Sequence, residues 1–211
     1  MKKIDKSIDY KEEGWNNFFS EKGITWRDKD YKLLDKMFNI DNLKGSLLDV
    51  GCGLGDGILY MQNRLNNITE FEGTDFSSEA INKNESNPLL LNVNFYTHDI
   101  TLPLEKKYNN IICLQTLEHI PDPVSAMKNL VDATEDVLIV ASPYKNRRPD
   151  ENHLWYFDSS DFNEEFSIYI DRKRKNMFWV LDKRANKQEL RRSIFGLNYV
   201  VNKIKEIFRI N

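Results

Sequence analysis

Short apolar runs alternate with segments of helical period through the middle of the chain. Residues 46–50 (SLLDV) read as a buried strand, 56–65 (DGILYMQNRL) as a helix and 70–75 (EFEGTD) as a weaker strand. Residues 77–84 (SSEAINKN) form a short helix opened by a Ser cap, with Glu79 in its first turn. Strands follow at 92–97 (NVNFYT) and 108–115 (YNNIICLQ). A helix over 122–133 then starts with Asp122 as cap and Pro123 at its first position, and 136–142 (DVLIVAS) is an uninterrupted apolar strand. Strands that alternate with helices predict right-handed crossovers and a mostly parallel sheet covered on both faces. Ligands of such α/β sheets bind beyond the carboxyl ends of the strands, where the strand order reverses.

The flanking segments differ. Tyr31, Leu33, Leu34, Met37 and Phe38 fall at helical spacing within 27–39, which predicts an amphipathic helix ahead of the first strand. Before it, YKEEGWNNFFSEKGITW (10–26) reads as too irregular for a long helix and too aromatic for a disordered tail. After residue 142 a polar loop, PYKNRRPDENHLWYFDSSDF, leads to two strand-like stretches, 165–172 and 176–183. The basic turn between them predicts an antiparallel pair ending the sheet. In the last segment, Leu190, Ile194, Leu197, Val201, Ile204 and Phe208 form the seam of an amphipathic helix over 186–210. The expected division is one domain over 1–185, with an N-terminal lid and helix in 1–39, followed by the basic helix of 186–211.

Composition narrows the classes. The chain has 211 residues, and 30 Lys and Arg stand against 33 Asp and Glu, so no overall charge draws it to nucleic acid. The charge is polarised: residues 183–211 carry eight Lys or Arg and two acids. Three roles fit that segment: packing on the body, homodimerisation through the seam, or contact with an anionic membrane surface. Cys52 and Cys113 lie far apart in apolar runs, as reduced interior thiols do. The N-terminus has no apolar stretch of secretory type, so a cytoplasmic protein is expected, peripheral to the membrane if the basic helix binds there.

The chemistry begins at LLDVGCGLGDG (47–57). A strand running into Gly51, Gly53 and Gly55 and then a helix offers backbone N–H groups and a helix dipole with no side chains in the way. A dinucleotide fingerprint needs G-x-G-x-x-G. Here the spacing is G-x-G-x-G, and Asp56 would place negative charge where a pyrophosphate should sit. Asp49 is read either as a charge stabilising the loop backbone or as a direct cofactor contact.

With Asp49 included, DVGCGLG resembles the first motif of class I S-adenosylmethionine-dependent methyltransferases. The resemblance implies a Rossmann-like, seven-stranded, mostly parallel α/β sheet and S-adenosyl-L-methionine as cofactor, with Asp49, Gly51, Cys52, Gly53 and Gly55 against its methionine part. It further implies that Asp75, with Phe76 beside it, holds the ribose hydroxyls, that Asp99 and Ile100 lie near the adenine, and that Leu114 and Gln115 line the cofactor. CLQTLEHIPDP (113–123) looks like the small-molecule branch, including the ubiquinone-biosynthesis type, and the motifs keep their order over residues 46–143. The N/D-P-P-Y/F motif of enzymes acting on exocyclic amines is replaced by LQTL, and a Pro-Cys nucleophile is absent, so nucleic acid is disfavoured as acceptor.

Methyl transfer from a sulfonium to a hydroxyl needs alignment and removal of a proton. Imidazole titrates near neutrality and suits that task. His98 reads as structural, whereas His119 and His153 are the candidate catalytic groups at the carboxyl edge of the sheet. Neither has the Cys or carboxylate spacing of a zinc site, and no metal is expected. Tyr144, Arg147, Arg148 and Trp155 are candidates for substrate binding, the arginines through phosphate. Tyr10, Trp15 and Trp26, with Phe18 and Phe19, fall where the family often carries a segment over the cofactor; the alternative is terminal packing. The expected reaction is O-methylation of a small polar metabolite, such as a sugar, phosphorylated or nucleotide-linked intermediate of surface polysaccharide biosynthesis. A quinone or lipid-like acceptor is the alternative enzyme reading, and a non-catalytic cofactor-binding partner subunit is the rival of another class.

Overall fold

Side chains alternate across each strand, so successive residues enter opposite apolar layers. Leu47, Ile112, Ile139 and Val180 face one layer, and Leu48, Ile111, Val140 and Trp179 the other. The computed structural model describes residues 1–4, 11–22, 28–145, 151–162, 166–171 and 175–184. In chain order the elements are β1 (Lys2–Lys3), α1 (Glu12–Lys22), α2 (Lys29–Met37), β2 (Gly45–Val50), α3 (Asp56–Arg64), β3 (Ile68–Asp75), α4 (Ser78–Glu85), β4 (Asn94–Thr97), β5 (Tyr108–Leu114), α5 (Pro123–Ala133), β6 (Thr134–Pro143), β7 (Trp155–Tyr156), β8 (Ser167–Asp171) and β9 (Asn176–Asp182). Single 3-10 turns occupy Ile40–Asn42 and Leu117–His119.

The main sheet has seven strands in the order β4-β3-β2-β5-β6-β9-β8. β4, β3, β2, β5 and β6 are parallel neighbours, and β9 runs antiparallel to both β6 and β8. From β2 the chain builds outward to β3 and β4, then returns to lay β5 on the other side. The strand order therefore reverses between β2 and β5. Tyr31 and Leu34 of α2 and Ile58 and Met61 of α3 bury into one layer, while Ala126, Met127 and Leu130 of α5 bury into the other. Both predicted caps form: the Ser77 hydroxyl accepts from Ala80 N–H, and the Asp122 carboxylate accepts from Ser125 N–H. Cys52 and Cys113 are buried free thiols.

Three expectations change. The stretch read as too irregular for a long helix contains α1, eleven residues held by contacts that no local pattern reveals. Asn16 and Glu12 bond to the Ser77–Glu79 turn at the start of α4, and Lys83 Nζ donates to the Phe19 carbonyl. The polar loop after β6 contains β7, which pairs antiparallel with β1. Strand edges shift as well, β3 starting at Ile68 and β4 at Asn94. The helix expected over 186–210 lies outside the described residues, among which no helix is long and apolar enough to cross a membrane.

Two glycines provide a packing test. A Cβ on Gly57 would stand 2.0 Å from the Tyr31 ring, whereas one on Gly14 would meet nothing within 4 Å. In urea unfolding, Gly57→Ala is expected to cost about 1–3 kcal/mol despite its better helix propensity, and Gly14→Ala to gain up to about 1 kcal/mol.

Candidate functional site

The loops that follow β2, β3 and β5 meet at the reversal of strand order. Thr74 O accepts from both Gly51 N–H (2.8 Å) and Cys52 N–H (3.1 Å), which folds the loop after β2 over the end of β3. Gly51, Gly53 and Gly55 have φ of 73°, 50° and 77°, in the left-handed region that glycine tolerates best. A Cβ at Gly51 would stand 2.2 Å from Thr116 Oγ1, so the loops after β2 and β5 touch through the absent side chain. Asp75, at the end of β3, accepts from Gly53 N–H (2.9 Å) and Ser77 N–H (3.0 Å). A carboxylate has about four acceptor sites, so Asp75 keeps capacity for further donors. Burial raises its pKa, against the amides of Ser77, Gly53 and Phe76 that lower it.

Asp49 lies beneath this loop. Its two oxygens accept from the Tyr31 hydroxyl at 2.8 and 2.7 Å, and it is 1% exposed. Burial lifts its pKa to about 7, with the Tyr31 bond opposing and the Asp75 charge assisting. Asp56 opens α3, and burial and the charge of Asp28 raise its pKa too. It occupies the helix terminus that a pyrophosphate would need. Asp99 accepts from the N–H and hydroxyl of Thr101 at 2.9 and 2.8 Å, one residue beyond the His98 N–H that bonds the Asp75 carbonyl. Ile100 is buried and its carbonyl accepts from Asn129. Leu114 is buried at the end of β5. The next residue, Gln115, has a φ of 55°, a strained value for a side chain of that size.

Opposite the glycine loop, the Leu117–His119 turn meets the segment leading into β7. Leu154 N–H donates to Glu118 O (2.7 Å), His119 Nδ1 bonds Asn152 O (3.0 Å), and Trp155 Nε1 donates to Ile120 O (2.8 Å). These bonds bring the His119 and His153 rings to a centroid separation of 5.0 Å. They also bring both histidines close to Glu118, whose carboxylate accepts from Ser142 Oγ at 2.7 Å. The Trp15 ring of α1 meets His119 edge-on at 5.1 Å. α1 joins the two halves of the site, because Asn16 bonds the turn that follows Asp75 while Trp15 reaches His119.

The family model for the methyltransferase domain matches residues 26–174, most of the chain. The chain belongs to this family. A stretch of 92 residues is 35% identical to a ubiquinone biosynthesis O-methyltransferase of Coxiella burnetii, covering 41% of this chain and 38% of that relative. The chain thus aligns with well under half of the curated relative's length. Among solved structures, a DhpI–SAH complex superposes with a TM-score of 0.63 at 15% identity, covering 80% of this chain and 93% of that one. SAM-bound CalS10, an amino pentose methyltransferase from Micromonospora echinaspora, superposes at 0.59 with 12% identity, covering 84% and 98%.

Within this methyltransferase domain, Trp155 braces the wall through its indole N–H, and Lys3 Nζ lies 5.8 Å over its ring. Tyr144 bridges to Phe157 at the carboxyl end of β6. Arg147, Arg148, Tyr10 and Trp26 lie outside the described residues. His98 bonds Leu102 O in its own turn. Sequence reasoning missed Tyr31 and Glu118. The helical period that buries Tyr31 does not reveal its hydroxyl's partner, and Glu118 was visible only as the neighbour of His119.

Asp49 carries a pH test. Its native pKa lies above the unfolded value, so the native state holds the proton more tightly between about pH 4 and pH 7; stability falls as pH rises through that window and levels above it. Asn at this position still accepts from Tyr31 and carries no charge. Asp49→Asn is therefore expected to flatten the decline in urea stability between pH 4.5 and 7.5 by on the order of 3 kcal/mol. An unchanged pH profile would contradict the assignment.

Proposed function

We propose that the protein transfers a methyl group from S-adenosylmethionine to an oxygen of a small polar metabolite. The observation that carries this reading is the adjacency of two half-sites at one switch point: the glycine loop with Asp75, and the pair His119 and His153 across from it. The cofactor supplies an electrophilic methyl on a sulfonium. The residues fit such a group. Gly51, Gly53 and Gly55 leave the backbone open to close approach, and Asp75 keeps acceptor capacity for ribose hydroxyls. Asp99 and Ile100 flank the adenine end, with Phe76 beside the ribose, while Cys52, Leu114 and Gln115 line the methionine end. The carboxyl groups of Asp49, Asp56 and Asp75 gather around the loop, and when ionised they attract positive charge and oppose a pyrophosphate.

His119 and His153 serve the acceptor hydroxyl, and Trp15 shields that end from water as part of a lid. A sugar or nucleotide-linked acceptor suits the loop carrying Arg147 and Arg148, which can meet phosphates, and Tyr144 and Trp155 flank it. The amino pentose enzyme among the structural neighbours supports a sugar. A quinone is the second reading, favoured by the stretch 35% identical to the ubiquinone biosynthesis enzyme. The basic 186–210 segment would serve such an acceptor by holding the protein at an anionic membrane surface, or would join two copies of the chain.

Calorimetry with S-adenosylmethionine tests the first step. The parent protein is expected to bind, and Asp75→Ala to bind at least about tenfold more weakly through loss of bonds to a charged acceptor. Absence of binding by the parent would overturn both the enzyme and a non-catalytic cofactor-binding subunit. Turnover in a screen of phosphorylated sugars, nucleotide sugars and quinols then separates these.

A further inference from the structure

We propose that Glu118, His119 and His153 form a binding site for a divalent first-row transition-metal ion. Each offers a ligand atom, and these atoms lie within 4.8 Å of one another. Ligands on one such ion stand about 3–4 Å apart, so the site closes with side-chain shifts of under about 1 Å. Two imidazoles and one carboxylate suit Zn²⁺, Fe²⁺, Co²⁺ or Mn²⁺ rather than an all-oxygen cation, and leave coordination positions open.

The surroundings match what a metal site requires of its supporting groups. Asn152 O can only accept, so His119 Nδ1, 3.0 Å away, carries the proton, and the neutral ring presents the Nε2 lone pair. A backbone carbonyl that fixes the tautomer in this way is the usual partner of a ligating histidine. The Ser142 hydroxyl orients the Glu118 carboxylate in the same manner. Glu118 is 1% exposed and His153 7% exposed, and the bond from Leu154 N–H to Glu118 O locks together the two segments that carry the ligands. The spacing of Glu118, His119 and His153 along the chain does not look like a metal motif. Convergence arises only when the loop after β6 folds against the turn after β5.

This inference rests on the reading of the cluster as the acceptor end of the site and makes it more specific. An ion there holds an acceptor oxygen in an open position and lowers the pKa of a hydroxyl, so the histidines act through the ion rather than as free bases. Acceptors with two neighbouring oxygens are then preferred.

The test uses untagged full-length protein, stripped with chelator and titrated with Co²⁺ while its visible absorption is followed. A saturable band at one equivalent, displaced by Zn²⁺, is expected. Glu118→Gln and His153→Asn should weaken it at least about tenfold, and His98→Asn should leave it unchanged. Near-ultraviolet circular dichroism of the variants and calorimetry with S-adenosylhomocysteine establish that they remain folded. No saturable band in the parent, or equal binding by folded variants, would overturn the site. Cofactor binding without a cobalt band removes the metal and leaves the proposed function standing; a cobalt band without cofactor binding does the reverse.

Discussion

Close backbone approach at Gly51 is the constraint on which the rest of the site depends. The Thr74 carbonyl takes the N–H groups of Gly51 and Cys52 from one side, while Thr116 occupies from the other the space a side chain would fill. Any other residue there must displace the Thr116 side chain and adopt a strained φ, which disturbs the contact between the loops after β2 and β5. The separation matters because these strands flank the reversal of order, where the crevice opens. Asp75 extends the constraint to a third loop by bonding Gly53 and Ser77 at once. The start of α4 is thereby tied to the glycine loop, and α1 docks on that start, which brings Trp15 over His119.

The electrostatics follow from the same compactness. Asp49 and Asp75 are crowded around one loop, and the charge of Asp75 adds to burial in making Asp49 harder to ionise. A protein that sought only stability would replace Asp49 with a neutral group. An acid under a loop of open amides suits a ligand that brings positive charge, as a sulfonium with an ammonium group does. At the other end, backbone and side-chain hydrogen bonds stitch a wall where two histidines and a glutamate converge. One end of the crevice is thus acidic and backbone-lined, and the other is imidazole-rich and aromatic.

Much of this was legible in the residues. Alternating apolar runs reveal the strands because a buried parallel sheet needs them. The glycines and Asp56 restrict the ligand class through sterics and charge alone. The caps at Ser77 and Asp122 are local and were readable for the same reason. What escaped depends on contacts between distant segments. α1 looks irregular because its polar residues, Asn16 and Glu12, face partners about sixty residues away. The pairing of β1 with β7 joins the N-terminus to a loop with no strand pattern. Tyr31 reads as one more apolar position until its hydroxyl is found on Asp49, and Glu118 gains its meaning only from Ser142 and His153.

Under the proposed function, the crevice over residues 51–55 seats the cofactor, with its reactive end turned toward the histidine cluster. A crystal structure of the protein soaked with S-adenosylhomocysteine tests this most directly. Ribose hydroxyls are expected within hydrogen-bond distance of Asp75, adenine beside Asp99 and Ile100, and the thioether sulfur facing His119 and His153. A nucleoside bound elsewhere, or a crevice without bound ligand at saturating concentration, would contradict it.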